Sequence, residues 1–350
     1  MIQRPRLAAL TGLRFFAALY VVVFHTAIQS APQYQAPKLW LIFLGHGDLA
    51  VSLFFILSGY VLTYNYADRW EHTSFMKFLG ARFARIYPVY LLALLLQLPF
   101  WRTATTFRSL AVLFMVQSWT VRPSGLPGEW DYPAWTLSVE WFFYLCFPLL
   151  LWGFAKAKNK MAAPWLTCLL IIVVGGPLVS IGGRVSWLST HVPMPLLRLP
   201  EFFLGMLLVR YSPSRSFSGF SAEIATVSLG IFLLALNPHR FVTLIILPFA
   251  AIIWLLANKR SLFCRVLELK PIVLLGEASY AMYLLQVPMP NYFRTYFQHP
   301  LSFREGSFCI AALIPISLFV FVWFEEPARR RIRTLHALKA STGSWLRQRS

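Results

Sequence analysis

The chain has 350 residues, of which 58% are hydrophobic, 17% aromatic and only 13% charged, a charged share roughly half that of a soluble domain. A soluble globule of this length has nowhere to bury so much apolar surface, so most of it is solvated by lipid. The net charge of +19 would suggest nucleic acid as a partner, but the scarcity of polar segments argues against a nucleic-acid binder and makes the excess of Lys and Arg a topology question.

Apolar runs long enough to span fall near 9–28, 49–66, 86–101, 137–155, 165–182, 196–211, 222–236, 240–257, 271–290 and 306–324. Several are close to the lower limit of roughly 17 residues. The first run continues too far for a secretory leader and has no small-residue cleavage site, so it reads as a retained helix. The stretch 107–119 is apolar but short, which suits a re-entrant or interfacial helix.

With the N-terminus inside and ten runs alternating, 22 of the 32 Lys and Arg lie inside and eight outside, with Arg14 and Arg198 within spans. Counting 107–119 as an eleventh span would put Lys156, Lys158 and Lys160 outside and invert every later loop. The expected fold is therefore an all-α polytopic membrane protein of about ten transmembrane helices, with cytoplasmic N- and C-termini. No internal repeat or low-complexity linker divides it. Residues 1–334 read as one transmembrane domain and 335–350 as a basic cytoplasmic tail.

Cys146, Cys168, Cys264 and Cys309 sit in or beside apolar runs without CxxC spacing and read as small hydrophobes. No metal-ligand spacing, phosphate loop, GxSxG elbow or HExxH is present.

Ionisable groups inside a span are expensive, so each is a functional candidate. Arg14 and His25 lie eleven residues apart on the first helix. They share a face and stand roughly 16 Å apart along the axis. A neutral imidazole there can act as a general base and the arginine can hold an anion, although a lone His can equally hydrogen-bond a neighbouring helix. Arg82 and Arg85 are i, i+3 neighbours entering the third span. They suit a multi-phosphate ligand, or an ordinary positive-inside anchor at lipid headgroups.

In Trp135-Thr-Leu-Ser138-Val-Glu140-Trp141-Phe-Phe-Tyr144, Glu140 stands at the outer start of a span with Tyr144 one turn on. A Glu140–His25 pair would fix the imidazole tautomer; alternatively, Ser138 and Glu140 cap the helix. Arg198 and Glu201, at i, i+3, satisfy each other. Glu277 either lines a cavity or caps a span, and Glu325-Glu326-Pro327 reads as a helix stop.

With these residues in view, the chain resembles the acyltransferase-3 family of bacterial integral membrane O-acyltransferases. The resemblance runs through Leu10-Thr-Gly-Leu-Arg14-Phe-Phe-Ala17 to Phe24-His25, Val51-Ser-Leu-Phe-Phe-Ile-Leu-Ser58-Gly59-Tyr60 and Arg82-Phe-Ala-Arg85-Ile-Tyr87-Pro88. It continues through Trp135-Thr-Leu-Ser138-Val-Glu140, Leu199-Pro-Glu201-Phe-Phe-Leu-Gly205-Met, Gly276-Glu-Ala-Ser279-Tyr280-Ala-Met-Tyr283 and Glu326-Pro327.

The resemblance implies a ten-helix enzyme that takes acetyl or another short acyl group from cytoplasmic acyl-CoA. It delivers that group to a sugar hydroxyl on a cell-surface glycan or glycolipid precursor at the bacterial inner membrane. His25 and Glu140 are then the catalytic candidates; Arg14, Arg82 and Arg85 hold acyl-CoA; Trp135, Ser138 and Tyr144 meet the carbohydrate acceptor; and no metal is needed. Two positions depart from the family pattern. Ser52 stands where an acidic residue is frequent, and Gln286 where the motif often ends in His. The chain is also too short for the SGNH hydrolase-like domain that many relatives carry. The rival from another class is a glycan or lipid transporter, weakened by the absence of paired inverted halves.

Overall fold

The structure is a computed structural model that describes residues 7–30, 45–100, 106–119, 132–156, 191–210, 221–235, 242–258, 261–332 and 334. Among these residues the regular structure is entirely helical. In order the helices are α1 (Ala8–Ser30), α2 (Ala50–Tyr66), α3 (Phe75–Gln97), α4 (Thr106–Leu113), α5 (Trp135–Lys156) and α6 (Met194–Arg210). They continue with α7 (Ser221–Ala235), α8 (Ile246–Asn258), α9 (Leu262–Leu267), α10 (Lys270–Leu285), α11 (Pro288–Phe297) and α12 (Phe303–Val320).

Five helical stretches are long and apolar enough to cross a bilayer, and a sixth is gained if α10 and α11, bent by 50° at their junction, form one span. The protein is thus a multi-pass helical membrane protein. α6, α7 and α8 coincide with three further apolar runs but are shorter, at 17, 15 and 13 residues. The run at 165–182 and the tail at 335–350 lie outside the described residues. α4 has eight residues, about 12 Å at the usual rise, which is too short to span. It is fastened to α3, the Tyr90 hydroxyl donating to the Val112 carbonyl at 2.6 Å, and the segment after it to the turn before α5, Gln117 Nε2 donating to the Ala134 carbonyl at 3.1 Å.

Lipid-solvated helices gain little from hydrophobic association with each other, so close backbone approach matters more than in water. The family-like motifs supply it. A Cβ on Gly59 would lie 1.9 Å from the Phe202 carbonyl oxygen, and one on Gly205 1.9 Å from that of Ile56. α2 and α6 therefore cross through two reciprocal glycines. α1 is approached as closely from two sides, Gly276 of α10 lying against the Thr11 carbonyl and Gly12 of α1 against the carbonyl of Leu267 at the end of α9. Around the first crossing, Tyr60, Phe78, Phe143, Phe147 and Phe202 are almost fully buried and stack edge-to-face or offset. Leu149, Trp152, Phe319 and Trp323 point outward, as lipid-facing side chains do.

The last helix differs from expectation. Glu325-Glu326-Pro327 does not stop it: a π-helical turn over Phe321–Glu325 follows α12, and helical backbone continues through Ile332. Proline lacks its own N–H and its ring crowds the carbonyl of residue i−4, which for Pro327 is Trp323, inside the π turn. Here the π turn resets the hydrogen-bond register ahead of Pro327.

Candidate active site

α1, α2, α3, α5 and α10 surround a cavity of about 150 Å³. Its wall carries Arg14, Arg82, Arg85, Ser58, Glu140 and Tyr144 among apolar residues such as Val51, Phe54 and Leu137. The Arg14 and Arg82 faces and the Glu140 face thus share one space, joining three segments far apart in sequence.

Glu140 is the anionic centre of the wall. Its Oε1 accepts from the Ser58 hydroxyl at 2.9 Å and from the Tyr144 hydroxyl, one turn on in α5, at 2.6 Å. Charge-assisted bonds of this kind are the strong ones. The expected Glu140–His25 pair does not form. Helix periodicity put Arg14 and His25 on one face, but Glu140 faces the Arg14 level of that face, where it lines the same cavity.

His25 instead meets Gln286, with Nδ1 3.0 Å from Oε1. Gln286 Nε2 donates to the Tyr283 carbonyl at 2.7 Å, which orients the amide oxygen toward the ring. With the amide oxygen as acceptor, Nδ1 carries the proton. Gln286, the departure from the family pattern, is the residue that orients the imidazole. Tyr283, one turn earlier, lines the cavity, so His25 is linked to its end through the Gln286 amide and the Tyr283 backbone carbonyl.

The arginines divide. Arg85 forms a close ion pair with Glu325, and its Nη2 lies 3.8 Å from Glu277 Oε2. Arg82 reaches only the Tyr66 hydroxyl at 3.4 Å and stacks over that ring at 5.6 Å, and its buried Nε has no hydrogen-bond partner. Among the described residues neither Arg14 nor Arg82 has a carboxylate in ion-pair contact.

Two further expected site residues stand elsewhere. Ser138 is fully buried, and its hydroxyl accepts the Ser118 N–H at 3.1 Å while Trp119 Nε1 donates to its carbonyl at 2.9 Å. It ties the segment after α4 to α5, a role unreadable before the fold is known. Trp135 is stacked by Arg198, 5.9 Å from its ring, behind the cavity wall. Arg198 and Glu201 do pair, at 2.6 Å, and Ser52 donates to the same carboxylate at 3.2 Å. Ser58 falls within a family-like motif and Gln286 is a departure from one, and neither is a site residue on sequence alone; their polarity inside apolar runs is the available signal.

A multi-pass helical bundle whose cavity holds two arginines without a contacting carboxylate among the described residues, a bonded carboxylate and, at its end, an oriented imidazole has the makings of an intramembrane catalyst. Comparison with known proteins gives the chemistry. The family model of acyltransferase domains known as acyltransferase-3 matches residues 7–324, and the chain belongs to that family. It is a membrane acyltransferase.

Over 316 residues it is 32% identical to acyltransferase MdmB of Streptomyces mycarofaciens, covering 82% of this chain and 80% of that protein. It is 24% identical to O-acetyltransferase OatA of Staphylococcus aureus over 372 positions, covering 93% of this chain but only 58% of OatA. A shorter match, 40% over 100 residues and 27% of this chain, is to protein 2 in the picA locus of Rhizobium radiobacter. No solved structure shows significant similarity. Among the described residues no group of His, Cys, Asp and Glu has the arrangement of a metal site.

Proposed function

We infer that the protein carries an acyl group, acetyl in the first instance, from cytoplasmic acyl-CoA to a sugar hydroxyl on a cell-surface glycan or its lipid-linked precursor. It does so from a bundle of ten spans with both termini in the cytoplasm of a bacterial inner membrane. One observation carries this reading: Arg14 and Arg82 face a mostly apolar cavity with no carboxylate paired to either among the described residues. Unpaired charge within a membrane protein is expensive, and two guanidiniums so arranged match an anionic, phosphate-bearing donor. The names of MdmB and OatA support acyl, and specifically acetyl, transfer.

The proposed chemistry follows from the geometry. Arg14 and Arg82 neutralise donor phosphate, and the thioester arm runs past Glu140 toward Tyr283. The acceptor hydroxyl meets the thioester beside His25. Its proton passes to His25 Nε2 as its oxygen bonds to the thioester carbonyl carbon. The C–S bond then breaks, and the departing CoA sulfur takes the proton from the imidazolium, leaving ester and free thiol. Gln286 holds the ring; Glu140, fixed by Ser58 and Tyr144, shapes the passage and balances the charge of the arginines. Donor and acceptor reach one site from opposite faces, so CoA itself never crosses the bilayer.

The deciding experiment is acetyl-CoA binding by calorimetry on detergent-purified protein, native against an Arg14→Gln, Arg82→Gln double variant that elutes as a folded monodisperse species. Binding by the native chain that the variant loses is expected. Equal binding by both would remove the arginines from the donor site. No binding or transfer with any acyl-CoA by folded native protein would end the acyl-CoA assignment.

A further inference from the structure

Arg82 and Arg85 sit one helical turn apart on α3 and line the same cavity, yet only one has a carboxylate partner. Arg85 is 15% exposed and closes onto Glu325, which is fully buried; Glu277 approaches its other nitrogen at 3.8 Å. Two carboxylates thus stand against a single guanidinium. Glu325 ends the π-helical turn that interrupts the last helix. Around it Val322, Trp323 and Phe324 face outward at 47%, 73% and 40% exposure, while Phe321 and Glu325 face in. The adjacent Glu326 belongs to a different group, pairing with Arg329 and Arg330 toward the tail. A widened turn that aims one carboxylate inward at one arginine is a specific piece of construction, and such turns are frequent at functional sites.

Resting on the acyl-transfer reading above, we propose that the Arg-x-x-Arg pair is divided by function. Arg82, with Arg14, receives the anionic donor; Arg85 is a positioning residue, locked by Glu325 and Glu277. Through that lock the last helix and α10 are fastened to α3, which fixes the bearing of Arg82 on the cavity. The Tyr280 hydroxyl, donating to the Ile86 carbonyl at 2.7 Å, adds a neutral bond at the same joint. A donor phosphate would have to displace two carboxylates to engage Arg85, whereas Arg82 and Arg14 need displace none.

The test uses the full chain in detergent or liposomes and four variants: Arg82→Gln, Arg85→Gln, Glu325→Gln and the double Arg85→Gln, Glu325→Gln. Removing one partner of a buried pair strands the other charge, while neutralising both leaves only Glu277, whose side chain is 37% exposed, without its guanidinium. Arg82→Gln is expected to raise the acetyl-CoA KM at least tenfold. Each single change at the pair should lower kcat at least tenfold with donor KM within twofold, and lower the Tm. The double variant should regain most of the lost kcat and Tm. A double variant as inactive as Arg85→Gln, with a raised donor KM, would return Arg85 to the donor site and overturn the proposal. A Tm cycle with no coupling would overturn the lock itself. Because that cycle needs no substrate, it judges the lock even if the native protein transfers nothing from acetyl-CoA, an outcome that would count against the acyl-CoA assignment alone.

Discussion

Gln286 Oε1 lies 3.0 Å from His25 Nδ1, and the same amide donates to the Tyr283 carbonyl at 2.7 Å. The imidazole is thereby held by its Nδ1 edge. His25→Ala should lower kcat by about 10²- to 10⁴-fold, the usual range for losing a general base. Gln286→Leu removes only the orienting bond, about 0.5–1.5 kcal/mol, and should lower kcat by roughly two- to tenfold. Steady-state rates with acetyl-CoA and any competent acceptor check the order; a Gln286 variant as inactive as the His25 variant would mean the amide does more than orient.

Arg14 and Arg82 carry the donor prediction. A hydrogen bond to a charged group contributes about 1.5–3 kcal/mol, so each Gln substitution should weaken acetyl-CoA binding by roughly ten- to a hundredfold. Titration calorimetry reads this directly, and rising ionic strength should weaken native binding more than that of either variant.

The carboxylate of Glu140 depends on Ser58 and Tyr144. Tyr144→Phe leaves it one hydroxyl short and should destabilise the bundle by about 1–2 kcal/mol. Ser58→Ala should do the same, and the two should be non-additive because they share one oxygen. Thermal melts of both singles and the double variant test this.

At the α2–α6 crossing, Gly59→Ala places a methyl group against the Phe202 carbonyl. Overpacking typically destabilises by about 1–3 kcal/mol, and here the obstruction is backbone, which cannot rotate away. Gly153→Ala, where nothing lies within 4 Å of the added Cβ, is the control and should melt like the native protein.

Ser138→Ala separates the two roles considered for that side chain. It strands the buried Ser118 N–H and should lower stability by about 1–3 kcal/mol. Acceptor KM should stay unchanged, because the hydroxyl faces the segment after α4. A raised acceptor KM at unchanged stability would restore the acceptor contact that the sequence suggested.

Much of this arrangement was legible before the fold. Apolar runs located the helices because lipid demands length and hydrophobicity together. The pairing of Arg198 with Glu201 followed from i, i+3 spacing, and 107–119 proved too short to span. What failed needed depth rather than periodicity. An 11-residue spacing says that Arg14 and His25 share a face, but not which of them faces Glu140 across a cavity. Nor could sequence show that Glu325 turns to Arg85 and Glu326 to Arg329 and Arg330, since adjacent glutamates before a proline and an arginine run resemble an ordinary terminus. The turn that separates them is a change of hydrogen-bond register, which leaves no compositional trace.

The bend between α10 and α11 has a mechanical corollary. Gln286 is the residue immediately after α10, at the 50° corner, so the clamp on the imidazole stands at the elbow of a jointed rod whose outer arm is the ten-residue α11. Any tilt of that arm would be felt first at the elbow, because Gln286 lies at the joint between the two helices. A bulky molecule seated against α11 would therefore act on the aim of Nε2 before it touched the reacting atoms.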